Sequence, residues 1–504
     1  MRPLSDPQRS RVLPPAGAAA AVIILGLLNA CTVGPDYVRP RVDIPAAFKE
    51  AAGNDEWKVG RPSDEAARGK WWAVFRDPRL DALESQVDLS NQNIVAAAAQ
   101  YRQAVALVQA TRAGFFPTVT AGATAARRRG SASTPISSPA IVGPNNDFIL
   151  PLQVSWEADV WGRIRRSVES SRANAQAFAA DLENVRLSVQ AELALAYFEL
   201  RGVDADRALL DKTIAAYQDA LALTRNRFEI GIASLTDVAQ AQTQLKTTQA
   251  QAIDLGVQRA QLEHAIAVLL GKAPAAFSMP AAPLDATPPA VPPGLPSALL
   301  ERRPDVAAAE RLVAAANAQI GVAQAAFYPT VTLSGVAGFE SSSASNWLSW
   351  PSRLWAVGPA ISQILFDGGL RQALTDEARA AYDANVASYR NTVLVAFRDV
   401  EDNLAALHVL AEEAQTQNEA VKAAQRSLEL TTNRYQAGAV SYLDVVTAQT
   451  IALSNERTAL DIARRRMSAS VRLVKALGGD WRISDLPRDE DLAAGGSTQP
   501  TSAR

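Results

Sequence analysis

Side chains that could carry covalent or metal chemistry are scarce in this sequence. The chain has only two histidines, His264 and His408, and one cysteine, Cys31, and the histidines have no partners at catalytic or metal-ligand spacing. This excludes a disulfide framework and a metal site built from cysteine and histidine. No nucleophile–base pair, phosphate-binding loop or metal cluster is recognisable in the sequence. We therefore expect no enzymatic activity, no cofactor and no bound metal.

The polar residues with a regular placement lie in a phrase that occurs twice. Arg227–Val238 reads RFEIGIASLTDV and Arg434–Val445 reads RYQAGAVSYLDV, with Arg, Gly, Ser, Asp and Val in register. In each copy a glycine interrupts a helical run and can take the left-handed conformation at a helix C-terminus, and a serine can begin the next helix. The phrase therefore predicts the tip of a helical hairpin with a carboxylate near it, Asp237 in the first copy and Asp444 in the second.

A second duplicated phrase marks a change from helix to strand. Ala113–Ala125 reads AGFFPTVTAGATA, and Gln324–Gly338 reads QAAFYPTVTLSGVAG. After Pro117 and Pro329, polar and apolar residues alternate with the period of a strand, and proline can end the helix before it. The two phrases recur at nearly the same offset, which indicates that the chain consists of two similar halves.

Each half is predicted to contain two strands between long helices. We expect strands at about 118–126, 148–160, 330–339 and 354–365. The predicted helices are Leu80–Arg112, Arg163–Arg201, Asp204–Phe228, Thr236–Leu270, Leu299–Ala326, Leu370–Leu410, Glu412–Tyr435 and Tyr442–Leu477. In the last helix apolar residues recur every seven positions, as in a coiled coil, and the polar residues Thr450, Arg457 and Arg464 share one row of that seam.

The domain organisation follows from these elements. Residues 1–30 are predicted to be a signal peptide, 31–76 an extended tail, 77–271 the first repeat, 272–297 a proline-rich linker, 298–480 the second repeat and 481–504 a flexible C-terminal tail. The signal peptide is indicated by the basic Arg2, Arg9 and Arg11 before the apolar run Ala16–Leu28.

Cys31 is the candidate lipid attachment site. It follows Leu28-Asn29-Ala30, which resembles a bacterial lipobox, and this resemblance implies that Cys31 becomes the acylated first residue of the mature protein. Several acyl chains on one cysteine anchor a protein firmly. Thr32 follows where an aspartate would signal inner-membrane retention, so the resemblance points to the outer membrane. The alternative is an ordinary signal peptide that happens to contain a cysteine.

The predicted strands raise the question of how their sheet closes. After residue 31 no run of 18 apolar residues occurs, so the mature protein has no predicted membrane-spanning helix. Strands of about nine to twelve residues can cross a bilayer when tilted, but four of them cannot close a barrel. A dimer with eight strands or a trimer with twelve would close, and the trimer would leave a water-filled lumen.

Trp156 and Trp161 lie in and just after the second predicted strand. They fit the aromatic girdle of a membrane strand, or else a soluble hairpin whose tryptophans pack on its own helices.

Charge and the outer loops give weaker indications. The net charge of −2 and the pI of about 6.0 do not indicate the excess of basic residues that is typical of nucleic-acid-binding proteins. Arg127–Arg129 follow the first predicted strand, and we place them in a solvated loop, with contact to lipopolysaccharide phosphates as the alternative.

Two long stretches resemble one family specifically. Leu299–Gly335 (LLERRPDVAAAERLVAAANAQIGVAQAAFYPTVTLSG) and Ile361–Arg371 (ISQILFDGGLR) are similar to the outer membrane efflux factors, the TolC-like channels and NodT-type lipoproteins. The resemblance implies a mixed α and β fold. It further implies a homotrimer whose twelve-stranded outer membrane barrel, with four strands per chain, continues into a periplasmic barrel of coiled-coil helices. Such a protein is a passive exit duct for small molecules, which an inner membrane resistance-nodulation-division pump delivers through a periplasmic adaptor protein.

The same resemblance assigns roles at the hairpin tips. Asp237 and Tyr435 resemble a pair that links neighbouring helix hairpins at a periplasmic gate, and Asp444 resembles one member of an aspartate constriction ring. Thr447 stands where many family members carry a second aspartate. Arg434 could pair with an acidic residue of a neighbouring helix. The simpler interpretation of each is a helix cap or a solvated residue, since aspartate near a helix N-terminus favours the macrodipole.

Two other functions stay open from the sequence. One is the outlet channel of a type I protein secretion system, and the other is a periplasmic coiled-coil lipoprotein without a pore. The RRPDV stretch beginning at Arg302 and the lipobox resemble the drug-efflux branch, which favours efflux.

Overall fold

The computed structural model describes residues 32–51, 70–131, 143–284, 287–289, 297, 299–479 and 481–493. The predicted signal peptide, 1–30, and Cys31 lie outside the described residues. Among the helices of the described ranges, none is long and apolar enough to cross a membrane.

Long helices dominate both halves. The first half contains α1 (Pro78–Ser90), α2 (Gln92–Arg112), α3 (Arg163–Glu229) and α4 (Leu235–Leu269). The second half contains α5 (Leu299–Arg302), α6 (Pro304–Ala325), α7 (Leu370–Gln436) and α8 (Tyr442–Ala476), and a short α9 (Asp489–Ala493) follows. Helices α3 and α7 have 67 residues each, which makes them about 100 Å long. Helices α4 and α8 have 35 residues each, so the longest helices of the two halves match in length.

Helices α3 and α7 are continuous where the sequence predicted two helices each. The predicted break between Arg201 and Asp204 falls at Gly202, which is buried, and a Cβ there would lie 2.8 Å from Cδ of Arg464. The glycine therefore allows α8 to pack closely on α3, and the helix continues through it. The predicted break after Leu410 is wrong because Ala411 is a strong helix former.

Two predicted helices are instead divided. Asn91 separates α1 from α2: its backbone is extended, its side chain accepts hydrogen bonds from the backbone of Asn93 and Ile94, and its amide donates to the carbonyl of Leu269 at 2.8 Å. Arg303 separates α5 from α6, because the residue before a proline is disfavoured in the helical conformation.

The strands form one antiparallel sheet in the order β1/β2, β3, β4, β5. Their bounds are Thr118–Ala121, Thr124–Arg129, Pro144–Ala158, Thr330–Ser341 and Arg353–Ser362. The first predicted strand, 118–126, is thus interrupted at residues 122–123 and continues to Arg129, while β1 and β2 keep one register with β3. The strand predicted at 148–160 begins at Pro144 and ends at Ala158, because it pairs along the full length of β2. The strand predicted at 330–339 extends to Ser341, and that at 354–365 runs from Arg353 to Ser362.

The register divides the sheet into two chemically different faces. Across β3, β4 and β5, cross-strand partners such as Trp156 and Leu333 lie on the same face. We call this the apolar face; its residues on β3, β4 and β5 include Phe148, Leu150, Leu152, Val154, Trp156, Val331, Leu333, Gly335, Ala337, Phe339, Trp355, Val357, Pro359 and Ile361. The opposite, polar face carries residues such as Gln153, Ser155, Glu157, Thr332 and Ser334. This alternation is the pattern of a strand that separates lipid from water.

Part of the predicted tail over 31–76 is packed into the helical body. Residues 32–48 form no helix or strand, but Phe48 is buried among residues of α6 and α7. Trp71–Phe75 forms a 3-10 helix whose Trp71, Trp72 and Phe75 join the core around Phe198. These large rings favour burial, which is why the segment is not a free tail.

The C-terminal segment is also ordered against the helices, contrary to the prediction of a flexible tail over 481–504. Leu492 of α9 is buried against Ala104, Val105 and Val108 of α2. Gln109 donates a hydrogen bond to the carbonyl of Leu492 at 2.6 Å. Residues 494–504 lie outside the described part.

Glu84 on α1 is a buried carboxyl group whose two oxygens have no hydrogen-bond partner among the described residues. Burial, with the charges of Asp88 and Asp81 adding to it, raises the pKa of Glu84 to about 9. The folded protein therefore holds a proton that the unfolded chain releases above its ordinary pKa, near 4.5. Glu84 should therefore lower the free energy of unfolding least below that ordinary pKa and increasingly as the pH rises towards 9.

We accordingly expect Glu84→Gln to stabilise the protein at pH 7 by about 3 kcal/mol. Denaturant unfolding at pH 5, 7 and 9 would measure this, with the gap between variant and wild type widening as the pH rises. Glu192→Gln, at an exposed carboxylate of α3, is the control. A gap that stays constant from pH 5 to pH 9 would contradict the assignment.

Candidate functional site

The tip between α3 and α4 is built as the repeated phrase predicted. Gly231 has a positive φ of 77° and ends the first helix. Ser234 caps α4, and its side-chain oxygen accepts a hydrogen bond from the backbone of Asp237 at 3.2 Å. In return, the carboxylate of Asp237 accepts from the backbone N–H of Ser234 at 2.8 Å and from its hydroxyl at 2.9 Å. This reciprocal capping box fixes the Asp237 side chain at the exposed tip.

The tip between α7 and α8 repeats that geometry. Gly438 has φ 79°, and the Asp444 carboxylate accepts from the backbone and the hydroxyl of Ser441 at 2.9 and 2.7 Å. These hydrogen bonds, with a smaller contribution from the charge of Arg434, hold the pKa of Asp444 below its usual range. Asp444 therefore stays ionised at neutral pH. Thr447, one turn on, donates its hydroxyl to the carbonyl of Leu443 at 2.9 Å.

An apolar cluster joins the two tips within one chain. We call it the tip cluster; its buried members are Tyr217, Leu221, Ala241, Leu245, Tyr435, Tyr442 and Val445. The rings of Tyr435 and Tyr442 meet edge to face, with centroids 5.3 Å apart. Burial raises the pKa of Tyr442 to about 12, so its hydroxyl is neutral at physiological pH. Residues from α3, α4, α7 and α8 all contribute, so the tips of both repeats pack as one unit.

The expected pairing of Asp237 with Tyr435 does not form inside a single chain. The Asp237 carboxylate is occupied by Ser234, and the buried Tyr435 hydroxyl has no hydrogen-bond partner among the described residues. The ring of Tyr435 faces Arg227 instead, whose guanidinium carbon lies 4.8 Å from the ring centroid. Arg227 also donates from Nη1 to the carbonyl of Gln436 at 3.0 Å.

Arg227 is therefore the residue that sequence reasoning missed at this site. It bridges the end of α3 to the end of α7, and so connects the first tip to the second. A signal was present, because Arg227 and Arg434 are the matching first residues of the two repeated phrases. Arg434 itself is exposed, so the two equivalent arginines occupy different environments.

The polar row predicted on α8 faces the helices of the first half. Thr450 accepts a hydrogen bond from Gln244 of α4 at 3.2 Å, and Arg457 makes two hydrogen bonds to Asp206 of α3, at 2.9 and 2.8 Å. Arg464 binds Glu199 of α3. Thr450, Arg457 and Arg464 line a cavity of about 570 Å³ between α3, α4 and α8, together with apolar side chains such as Leu255 and Leu453. The half-polar seam is thus the interface between the repeats.

Two tryptophans hold the predicted helix-to-strand junctions at Pro117 and Pro329. Trp161 donates its indole N–H to the carbonyl of Pro329 at 2.8 Å, and its ring stacks on Tyr328 with centroids 4.8 Å apart. Trp156 donates to the carbonyl of Phe115, just before Pro117, at 2.9 Å. Each junction therefore has an aromatic residue with its polar atom satisfied, which suits a membrane–water interface.

The start of the described tail lies at the same level. The backbone N–H of Val33 donates to the carbonyl of Trp161 at 3.0 Å, and Arg166 donates to the carbonyls of Val33 and Gly34 at 3.2 Å each. A Cβ on Gly34 would lie 2.4 Å from the Cα of Gly321, so the tail rests directly on α6. Residue 32 is thereby fixed beside the helix-to-strand junctions.

Metal ligation has no candidate in the described ranges, where no three His, Cys, Asp or Glu side chains are grouped around a possible ion. The arrangement of the site is one of caps, an aromatic cluster and ion pairs at the ends of long helices. Within one chain these contacts hold the two hairpin tips together.

Comparison with known proteins gives one consistent family. The sequence model of the outer membrane efflux protein family matches residues 83–272 and 295–479. The chain is 33% identical over 465 residues to the toluene efflux pump outer membrane protein TtgF of Pseudomonas putida, and the match covers 91% of this chain and 96% of that protein.

Solved structures agree with the sequence match. The outer-membrane channel OprN is 32% identical, with a TM-score of 0.81 over 89% of this chain and 99% of that one. The MtrE outer membrane channel of Neisseria gonorrhoeae, solved in its open state, is 28% identical, with a TM-score of 0.78 over 90% of this chain and 99% of that one. The predicted resemblance and fold class are therefore confirmed.

Proposed function

This chain belongs to the outer membrane efflux protein family and is the outer membrane channel of a tripartite efflux system, and we propose that it works as a homotrimeric passive exit duct. The observation that carries the proposal is the incomplete sheet with one apolar and one polar face, set at the end of helices about 100 Å long. Such a sheet is one segment of a membrane wall, and the helices extend it into the periplasm.

The free edges of the sheet support the trimer. Strands β1 and β2 form one edge and β5 the other, and both lack a neighbour in the described chain. Unpaired backbone groups cannot face lipid, so the edges must pair with other copies. Counting β1 and β2 as one interrupted strand gives four strands per chain, and three chains give twelve. A barrel of twelve strands encloses an aqueous lumen, which the polar face of the sheet would line.

The partners follow from the same role. A passive duct has no energy source of its own, so we propose that an inner membrane pump of the resistance-nodulation-division class delivers substrate through a periplasmic adaptor protein. The name of TtgF assigns toluene to that relative. For this chain we propose small toxic molecules as cargo. The efflux names of the relatives favour this role over a type I protein secretion outlet.

We also propose that Cys31 carries the lipid anchor. The next residue, Thr32, lies against Gly162, where an added Cβ would come within 2.7 Å of it. Gly162 begins α3 directly beside Trp161 and its contact with the Pro329 junction. An acyl chain on Cys31 would therefore start at the level where the strands leave the membrane, which suits insertion into the inner leaflet.

The hairpin tips are the proposed gate. Asp444 would form a ring of three carboxylates around the trimer axis, while Asp237, Tyr435 and Arg434 would contact neighbouring hairpins. The related MtrE channel has been solved in an open state, which supports a gate that moves. Tyr435 would act through the tip cluster rather than through Asp237 of its own chain.

Reconstitution of the purified protein in planar bilayers tests the duct. We expect a homotrimer by native mass spectrometry and discrete conductance steps. A monomer in detergent that inserts without conductance would refute the proposal.

Substitution of Asp444 tests the constriction. Because the carboxylate stays ionised at neutral pH, Asp444→Ala should raise single-channel conductance and lower the preference for cations on the order of tenfold. In the wild type, the cation preference should persist as the pH falls towards 4 and disappear below that value. Asp444→Asn, which keeps an acceptor for Ser441, should lose the cation preference as well. Unchanged conductance and selectivity in both variants would place Asp444 away from the pore.

A further inference from the structure

Charged side chains on the strands are sorted between the two faces of the sheet. The strand carboxylates Asp147, Glu157 and Glu340 all lie on the polar face, as their positions in the register require. Glu157 is paired with Arg163 at 3.0 and 2.8 Å, and Asp147 with Arg128. The polar face is therefore largely neutralised by local ion pairs.

The apolar face has the opposite character at its end away from the helices. Arg127 and Arg129 of β2 share this face with Val119 and Ala121, because β1 and β2 keep one register with β3. Arg353 at the start of β5 also lies on it, opposite Phe339. Among the described residues no carboxylate pairs with any of these three arginines, and all three are exposed. We call Arg127, Arg129 and Arg353 the outer arginines.

Their height matches the boundary of a membrane. From Ala158 to Phe148 the apolar face of β3 extends for about 34 Å along the strand, or about 26 Å along the membrane normal at a tilt of about 40°. That is the height of the apolar band of an outer membrane barrel. Arg127 and Arg129 lie opposite Asn146 and Pro144, just beyond Phe148, on the side remote from the helices. This is the headgroup level of the outer leaflet.

An exposed aromatic residue supports one of these arginines. The guanidinium carbon of Arg353 lies 4.0 Å from the centroid of the Trp350 ring, and that ring is 74% exposed. A guanidinium in a cation–π contact with an indole keeps its N–H donors available to bind oxygen in a bidentate manner. The Arg353 guanidinium is therefore in contact with Trp350, while no carboxylate of the described residues pairs with it.

Closure of the barrel would bring the outer arginines together. Arg353 lies on β5, and Arg127 and Arg129 lie on β2, which are the two free edges of the sheet. In the proposed trimer, β5 of one copy pairs with the β1/β2 edge of the next. Each of the three seams would then carry three arginines on the lipid-facing side, contributed by two chains.

We propose that each seam binds the phosphate groups of a phosphorylated lipid in the outer leaflet. The inference rests on the proposed trimer, because the site is incomplete in one chain. Arginine is suited to this ligand, since its planar fork matches phosphate oxygens and stays charged at every physiological pH. The lipid would bridge two chains and so favour the closed barrel.

Binding of fluorescent lipid A to the purified wild-type trimer in detergent tests the proposal, with the phosphorylated and the enzymatically dephosphorylated lipid compared. Each arginine near an anionic lipid surface contributes about fivefold in affinity, so Arg127→Gln, Arg129→Gln and Arg353→Gln combined should weaken binding about 100-fold. Arg128→Gln, in the same segment but on the polar face, is the matched control and should bind as the wild type does. Added salt should weaken binding of the phosphorylated lipid.

The outcomes separate the two proposals. A wild-type trimer that binds both lipids equally, or a triple variant that binds as Arg128→Gln does, overturns the lipid site while leaving the duct intact. Inorganic phosphate that competes at the same concentration as the lipid shows a free-anion site and overturns the lipid assignment. A protein that stays monomeric and does not conduct refutes the duct itself. If the triple variant fails to assemble, Arg353→Gln alone and the comparison of the two lipids decide.

Discussion

Arg227→Ala should open the channel in planar bilayers without any change at the constriction itself. The Arg227 guanidinium contacts the Tyr435 ring at 4.8 Å and donates to the Gln436 carbonyl at 3.0 Å. Losing both contacts should cost the closed tips about 2 kcal/mol per chain, which shifts the equilibrium towards the open state by about thirtyfold per chain. The measurement is the open probability of single channels at fixed voltage.

Two variants distinguish a latch from a general effect of charge. Arg225→Ala removes an exposed arginine two residues earlier on α3 and should leave the open probability unchanged. Arg227→Lys keeps the charge but loses the planar fork, so it should give an intermediate value. Equal open probabilities for Arg227→Ala and Arg225→Ala would show that Arg227 does not hold the tips.

Asp204→Ala should strongly destabilise the helical body. Its carboxylate is 3% exposed and accepts from Arg201 at 3.2 Å, from Arg259 at 2.8 Å and from the backbone of Ala282 at 3.0 Å. Removing it leaves the buried Arg201 without an anion and leaves Arg259 paired with Glu263 alone. Breaking a buried ion pair in this way typically costs about 3–5 kcal/mol. Thermal unfolding followed by the helical circular dichroism signal would measure the loss.

The same substitution should release the linker between the repeats. Arg201 donates to the carbonyl of Pro280 at 2.9 Å and Arg259 to that of Met279 at 2.7 Å, so the network around Asp204 ties residues 279–282 to α3 and α4. Limited proteolysis should therefore cut Asp204→Ala near these residues faster than the wild type. The control is Asp211→Ala, one of an exposed pair with Arg207 on the same helix, which should cost less than about 1 kcal/mol. Similar losses in both variants would contradict a special role for the buried network.

Local chemistry explains why much of this protein was predictable. The hairpin tips depend on a glycine, a serine and an aspartate within seven residues, so the phrases at Gly231 and Gly438 predicted the caps correctly. The junctions at Pro117 and Pro329 depend on a change of period that is visible in a dozen residues. The helix boundaries that were predicted wrongly depend instead on distant residues: Arg464 covers Gly202, and Asn91, which caps α2, also binds the carbonyl of Leu269 in α4.

Contacts between distant segments of the chain determine the features that the sequence did not predict. Within one chain the Tyr435 ring contacts Arg227 of the other repeat, a contact that the sequence did not reveal. Arg127–Arg129 were expected in a solvated loop, but pairing with β3 extends the strand to Arg129 and assigns alternate arginines to opposite faces. Likewise, Trp71, Phe48 and Leu492 are buried only because helices far along the chain supply their partners.

The sequence by itself determined the repeat, the helix and strand periods, the caps and the family. These features depend on residues a few positions apart, whose geometry is set by the backbone. Only the tertiary structure decided which tip residues meet within the chain, which arginines share the apolar face of the sheet and which carboxylates are buried. Those outcomes depend on helix rotation and strand register, which are fixed by the packing of the whole chain rather than by any one segment.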